Sequence, residues 1–331
     1  MPRPPVDLGG VAVKATAVAH PIQGLIKYHG LADPVLRLPF HDSISVCTAP
    51  LSTRTTIEFG AYARDQATID GRDVTARDME RILAVVDPIR ARASLDKRFR
   101  MASANDFPSN IGLGASASGF AALAMAAAHA AGLRLSLEDL SRYARRGAGS
   151  ATRSVTGGFS KWKMGVADED SYAVQLAGPD LDIGIIVALV PAFKQTDDAH
   201  REALTSPFFH ARLAEMPRLI AEMELAIRKR DVGAICALAE RDTLMLHGIT
   251  MTGTGEMVLW QPDTVRVILA VRRMREEGVP AFFSIDTGAT VYVNTFPDQA
   301  DVVRRRIEDL GIRTIVCTVG GPARLVDDPV G

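Results

Sequence analysis

Cysteine is scarce in this chain: 331 residues contain three, Cys47, Cys236 and Cys317. They are odd in number, widely spaced and never in a C-x-x-C pair. That excludes a disulfide framework and a thiolate zinc site, and reads as structural thiols in a reducing compartment. A dominant charge is also missing, since 38 Lys and Arg against 39 Asp and Glu leave a net charge of −1. A nucleic-acid-binding chain would usually carry a basic stripe. The basic clusters Arg304, Arg305, Arg306 and Arg228, Lys229, Arg230 have acidic neighbours and read as solvated helix faces. The seven histidines form no HxxxH or HxH pair, which argues against a histidine-built metal site. The longest small-apolar run, residues 120–132, is too short and too Ala-rich to span a bilayer. The opening MPRPPVDLGG lacks the apolar stretch of a signal peptide, so a cytoplasmic protein without membrane or nucleic-acid partners is expected.

What remains is a composition from which a full core can be built: 47% hydrophobic and 23% charged residues, enough chain for one large α/β unit or two ordinary domains. The first half alternates short β-like runs (11–19, 44–48, 55–59, 67–69) with Gly, Pro and Asp punctuation. Helical spacing of Met79, Ile82, Val85, Val86 and Ile89 predicts a helix over 77–93. Residues 116–131 predict a helix of small side chains. Ser136 followed by Asp139 is an N-cap signal for a helix over 136–146. A strand at 183–190 precedes three helices (213–230, 232–247, 264–277), the last stopped by Gly278 and Pro280. Strands 281–285 and 290–295, a helix over 298–310 and a strand at 313–319 complete the chain. This order predicts an antiparallel sheet with helices on one side. A domain boundary is placed near residue 180.

Four segments carry candidate chemistry. The run GLGASASG at 112–119 has two glycines that let the backbone turn tightly and approach a ligand. A helix follows, whose first N–H groups and dipole favour an anion. Ser116 and Ser118 could donate to phosphate or hold a nucleotide's magnesium. No lysine follows the last glycine, so this is not a P-loop. In GAGSATRS (147–154), Arg153 stands among residues too small to hide it, and its guanidinium suits a carboxylate or phosphate. Asp286 ends a strand before a Gly turn, where a carboxylate could accept a hydroxyl proton. Lys27 follows an apolar run and could face an anion. Each segment alone also fits an ordinary turn, loop or edge strand.

Together and in order, these segments resemble the mevalonate diphosphate decarboxylases of the GHMP kinase superfamily. That family's NIAVIKYWGKRD stands here as IQGLIKYHGLAD, and its FPTAAGLASSASG as FPSNIGLGASASG (107–119). Its GSGSACRS and GGF-x-KW stand as GAGSATRSVTGGFSKW (147–162). Asp242 and His247 fit its D-x-x-x-x-H stretch, Asp286 to Thr290 its DAGPN turn, and Gly320-Gly321-Pro322 its closing loop. The match covers most of the chain.

The resemblance implies an α+β, GHMP kinase-like two-domain fold. An N-terminal ribosomal-S5-like α/β domain (1–180) would bind ATP. A C-terminal ferredoxin-like α+β domain (181–331) would close the cleft. It implies that Asp286 deprotonates a tertiary hydroxyl that ATP phosphorylates, after which phosphate and carbon dioxide leave. Arg153 would hold the carboxylate and Lys27 would sit near the reacting centre. Tyr28, Ser150 and Thr196 would lie along the substrate. Gly112, Gly114, Ser116, Ala117 and Ser118 would cradle the ATP phosphates, with Mg²⁺ near Ser116. Asn105 and Phe107 are candidates at the adenine. A homodimer is the family's habit.

The departures from the family pattern bear on substrate. Its Lys-Arg after KYWG is Leu31-Ala32 here, its early Asn is Ile22, and a diphosphate-binding Arg of bacterial members aligns with Thr196. Fewer cations leave a diphosphate's charge unpaired, which is costly away from water. The expected substrate is therefore mevalonate 5-phosphate, giving isopentenyl phosphate. The alternatives are mevalonate 5-diphosphate, a mevalonate 3-kinase without decarboxylation, and a non-catalytic relative.

Overall fold

The computed structural model describes residues 13–108, 112–192 and 196–330, with the side chains of 13, 196 and 197 outside the description. The opening segment and Thr196's side chain therefore lie outside the described residues.

The chain begins with β1 (Val13–Ala19), β2 (Ile22–Ile26), β3 (Leu31–Asp33), β4 (Leu38–Pro39), β5 (Ser43–Ala49), β6 (Thr53–Gly60), β7 (Gln66–Ile69) and β8 (Arg72–Asp73). Then come α1 (Ala76–Ala93), β9 (Arg98–Asn105), α2 (Ala115–Ala130), α3 (Leu137–Gly147) and α4 (Ala151–Thr156). β10 (Phe159–Trp162), β11 (Ala173–Ala177) and β12 (Gly184–Ala188) lead to α5 (Thr196–Thr205), α6 (Phe209–Arg228), α7 (Val232–Met251) and α8 (Pro262–Glu276). The chain closes with β13 (Ala281–Ser284), β14 (Val291–Thr295), α9 (Ala300–Glu308), β15 (Thr314–Val319) and β16 (Arg324–Val326).

Local signals set many of these ends. Thr75 and Ser136 cap α1 and α3, their hydroxyls accepting from the Asp78 and Asp139 N–H groups. α8 starts at Pro262 with a reciprocal Gln261–Thr264 cap, and Gly278 follows it at φ +85°.

Two large sheets result. The first runs β16-β1-β6-β9-β7-β8, and the second runs β11-β10-β5-β15-β12-β14-β13, with β2 also on β5. α2 lies on the first sheet with α1 packed beside it, in a core around Ile57, Phe59, Ile82, Val85 and Phe99, while α3 and α4 pack on α2 and reach β11 of the second sheet. α2 contributes mostly alanine to that core, so its backbone lies close to β1 and β6. A second core joins α6 and α7 to β2, β5 and β12, and a third joins α8 and α9 to β12, β13 and β14.

The region from β12 to β15 has the predicted β–helices–ββ–α–β order and its recorded pairings are antiparallel, but helices cover both faces rather than one, since alternate residues of β12 pack on α6 and α7 and on α8 and α9. The boundary expected near residue 180 is crossed by both last strands: β15 pairs with β5, and β16 pairs with β1. The Gly320–Pro322 loop makes the same crossing. Gly158 N–H donates to Gly320 O at 2.8 Å, and a Cβ on Gly157 (φ +65°) would come within 2.2 Å of the Gly321 backbone. Those glycines are needed for close approach of two chain segments. Among the described residues no helix is long and apolar enough to cross a membrane. The three cysteines are buried and unpaired. Within the basic clusters, Arg304 pairs with Asp301 and Glu308, Arg306 with Glu277, and Arg230 with Asp180.

Candidate active site

β2 ends at Ile26, and the next residues turn inward. Lys27 is buried. Its backbone N–H donates to Asp242 Oδ2 at 2.9 Å, and its Nζ donates to Thr243 Oγ1 at 2.9 Å while lying 3.6 Å from Asp242 Oδ2. Arg212 completes this buried cluster, donating to Asp242 Oδ1 at 2.7 Å and to the Lys27 carbonyl at 2.8 Å. Burial pulls the Lys27 ammonium below its ordinary pKa, and the Asp242 and Asp286 carboxylates pull it back up.

Asp286 follows β13. Gly24 N–H donates to its Oδ1 at 3.0 Å, and His247 Nε2 lies 3.1 Å from its carbonyl oxygen. A Cβ on Gly24 would meet Lys27 Cγ at 2.7 Å and Asp286 Oδ1 at 2.8 Å, so both side chains converge on one glycine. Burial holds His247 down to about 4, with Lys27 nearby, so the ring is neutral and donates from Nε2.

Arg153 lies on the short helix α4, 2% exposed, and its Nε and Nη1 have no hydrogen-bond partner. Its guanidinium sits over the Tyr28 ring at 5.6 Å and the Trp162 ring at 5.8 Å. Burial lowers its pKa to about 10, which leaves it charged at neutral pH. A charged fork buried with open donors calls for an anion. Ser150 precedes α4, and its side chain makes no cap bond.

Lys27, Tyr28, Ser150, Arg153 and Asp286 line one cavity of about 90 Å³, together with Gly112, Gly114 and Ala117. The glycines have φ of +87° and +78°, and Gly114 opens the 16-residue helix α2 without any side-chain cap. On the other side of that helix start lies a wider cleft of about 540 Å³, lined by Asp70, Arg72, Ser103, Asn105, Ser116 and Phe120 among others. The start of α2, which borders both, offers its first N–H groups to an anion.

The sequence-predicted residues therefore separate into groups. Ser116 is exposed on the wider cleft, whereas Ala117 faces the smaller cavity. Ser118 is a correction: it is fully buried, its hydroxyl 2.6 Å from Thr53 Oγ1, and it ties α2 to β6 rather than facing a phosphate. Phe107 is a second correction, since it packs in the core of α6, α7 and β5. Asn105 lines the wider cleft with its amide held by Asp70 at 3.1 Å. Among the described residues no three His, Cys, Asp or Glu side chains group as a metal site.

Sequence reasoning missed Arg212, His29 and His200. His29 and His200 line the smaller cavity, and Arg212 sits behind Lys27. Arg212 and His200 belong to no local motif and are brought in by pairing across the fold, whereas His29 stands in the KYHG run, where the family pattern has Trp. Lys27, Asp242 and Arg212 come from separate parts of the chain.

Residues 19–173 match the model of the diphosphomevalonate decarboxylase-like N-terminal domain. The chain is 50% identical over 320 residues to the phosphomevalonate decarboxylase of Haloferax volcanii, covering 96% of this chain and 98% of that protein. It is 30% identical to the human diphosphomevalonate decarboxylase, over 83% of this chain and 74% of that one. The mevalonate diphosphate decarboxylase of Staphylococcus aureus superposes with a TM-score of 0.90 at 29% identity, over 96% of this chain and 99% of that one. A structure described as MDDEF in complex with MVAPP, AMPPCP and magnesium superposes with a TM-score of 0.89 at 28% identity, over 96% and 100% of the two chains.

Proposed function

The chain belongs to the diphosphomevalonate decarboxylase family, and from that premise we propose that it converts mevalonate 5-phosphate and ATP to isopentenyl phosphate, ADP, phosphate and carbon dioxide. The observation that carries the choice of the monophosphate is the 50% identity with a phosphomevalonate decarboxylase along nearly the whole chain. The diphosphomevalonate decarboxylases of Ganoderma lucidum and human stand at 33% and 30%. The apolar Leu31-Ala32 pair, in place of two cations, points the same way.

The residues divide the work as follows. Asp286 accepts the proton of the tertiary 3-hydroxyl, and the oxygen attacks the γ-phosphorus of ATP, expelling ADP. The C3–O bond then breaks and phosphate leaves. The bond from C2 to the carboxylate carbon breaks next, and its electron pair forms the new C2–C3 double bond as carbon dioxide departs. Lys27 stands beside Asp286, where its ammonium offsets the negative charge at the reacting centre. Arg153 holds the substrate carboxylate with its open donors. Gly112, Gly114 and the start of α2 receive the ATP phosphates, and Asn105 lies where the nucleoside would extend. Magnesium, carried by the nucleotide with Ser116 nearby, supplies charge neutralisation at the phosphates. Tyr28, Ser150 and Thr196 serve the substrate's phosphate end. We assign ATP binding to residues 1–180, substrate closure to 181–331, and a cytoplasmic homodimer as the working form.

The direct test is product analysis with magnesium-ATP and mevalonate 5-phosphate. Equimolar ADP and carbon dioxide support the proposal. ADP without carbon dioxide would make the chain a 3-kinase instead.

A further inference from the structure

A continuous row of rings forms one wall of the substrate cavity. It begins at Thr287 Oγ1, 3.4 Å from His29 Nε2. His29 meets His200 at 4.9 Å between centroids, His200 stacks on Tyr28 at 5.0 Å, and Tyr28 meets Trp162 edge-on at 4.9 Å. Arg153 closes the row over the last two rings. His29, His200 and Tyr28 all line the cavity.

The two imidazoles are placed firmly. Gly30 N–H donates to His200 Nδ1 at 3.0 Å, so the neutral ring carries its hydrogen on Nε2. A Cβ on Gly30 (φ +81°) would come within 2.7 Å of Leu204 Cδ2, so α5 sits tightly on the turn that follows His29. His29 is 2% exposed, and its Nδ1 is buried with no hydrogen-bond partner. A buried polar atom left unpaired in a cavity wall is unfavourable unless a ligand pairs with it.

The charges in the cavity say which ligand. Resting on the function proposed above, the substrate brings a carboxylate and a phosphate besides its reacting hydroxyl. Among the described residues lining the cavity, the formal cations are Lys27 and Arg153. Lys27 is engaged with Asp242, Thr243 and Asp286, and Arg153 takes the carboxylate. Among the described residues lining the cavity, the groups left for the phosphate are neutral donors.

We propose that His29 and His200 are a specificity-determining pair, imidazole N–H donors that read the phosphomonoester end of the substrate. A monoester dianion can be satisfied by a few hydrogen bonds in this wall. The further charge of a diphosphate would meet no additional formal cation among the described residues lining the cavity. The histidines thereby set selectivity for one phosphate over two.

The test uses the full-length chain with His29→Phe, His29→Gln, His200→Phe and His200→Gln. The Phe variants keep ring shape without donors, and the Gln variants restore a donor. The KM for mevalonate 5-phosphate is expected to rise ~10-fold or more in each Phe variant, as for a lost hydrogen bond to a charged group. The Gln variants should recover most of that loss, and the KM for ATP should stay within about twofold. An unmoved substrate KM in folded Phe variants overturns the proposal, as does an equal loss in Phe and Gln variants. On the unmodified protein, two imidazole NMR signals, each missing from one Gln variant, should shift with inorganic phosphate and with mevalonate 5-phosphate but not with mevalonate. Signals indifferent to phosphate also overturn it. Absence of turnover by the unmodified chain would remove the proposed function, while the inorganic-phosphate titration would still report whether these two rings bind phosphate.

Discussion

Asp286 is fixed at both ends of its own residue, its carboxylate by Gly24 N–H and its carbonyl by His247. Such pre-positioning lowers the reorganisation needed at the moment of proton transfer. Asp286→Asn removes the base and keeps the shape. Turnover should fall ~1,000-fold or more, with ATP binding retained in an equilibrium titration; a wild-type rate would remove Asp286 as the base. Arg153→Met should raise the substrate KM and slow turnover by ~100-fold, and an unchanged kinetic profile would take Arg153 out of the site. Arg212 acts differently, through the Asp242 carboxylate it shares with Lys27. Arg212→Leu leaves part of a buried charge unpaired, and urea unfolding should show a loss of ~3 kcal/mol or more.

At the scale of elements, β2 and the turn before β14 approach so closely that glycine is required at position 24. Gly24→Ala pushes on the Lys27 stem at Cγ and on the Asp286 carboxylate rather than on backbone. Activity should therefore drop at least ~10-fold while the melting temperature moves by only a few degrees; equal losses in both would mean that β2 itself is displaced. Element legibility in the sequence followed length and periodicity. The helices α1, α3 and α8 were readable from apolar spacing and from caps at Ser136 and Gly278. β2 was not, because all five of its residues are buried and no alternation remains. The six-residue α4 and the short β10, β11 and β16 are likewise too brief to show a period. α6 begins four residues earlier than apolar spacing predicts, at Phe209, which packs with Ala203 and Ile249. The glycine turn, Arg153, Lys27 and Asp286 were legible because each sits in a local pattern. Arg212 and His200 acquire their places only through long-range pairing, and the signal for His29 was its substitution for Trp in the KYHG run.

For the whole molecule, buried histidines set the response to acid. His41 and His247 are both held down to about 4 by burial, against an ordinary value near 6.5. Between those values the unfolded chain binds protons that the folded chain refuses. The native state therefore keeps its full advantage above pH 6.5 and loses it as pH falls towards 4, by ~3 kcal/mol for each ring at the lower limit. Urea midpoints should be flat from pH 8 to 7 and decline steadily from 6.5 to 4.5, and His41→Gln should flatten that decline. A midpoint independent of pH over that window would show that these rings are solvated.

The most direct test of the central claim is a paired ADP and carbon dioxide assay with magnesium-ATP, run separately on mevalonate, mevalonate 5-phosphate and mevalonate 5-diphosphate. The account predicts both products from the monophosphate and little turnover of the other two. Efficient turnover of the diphosphate, with the monophosphate left intact, would contradict it.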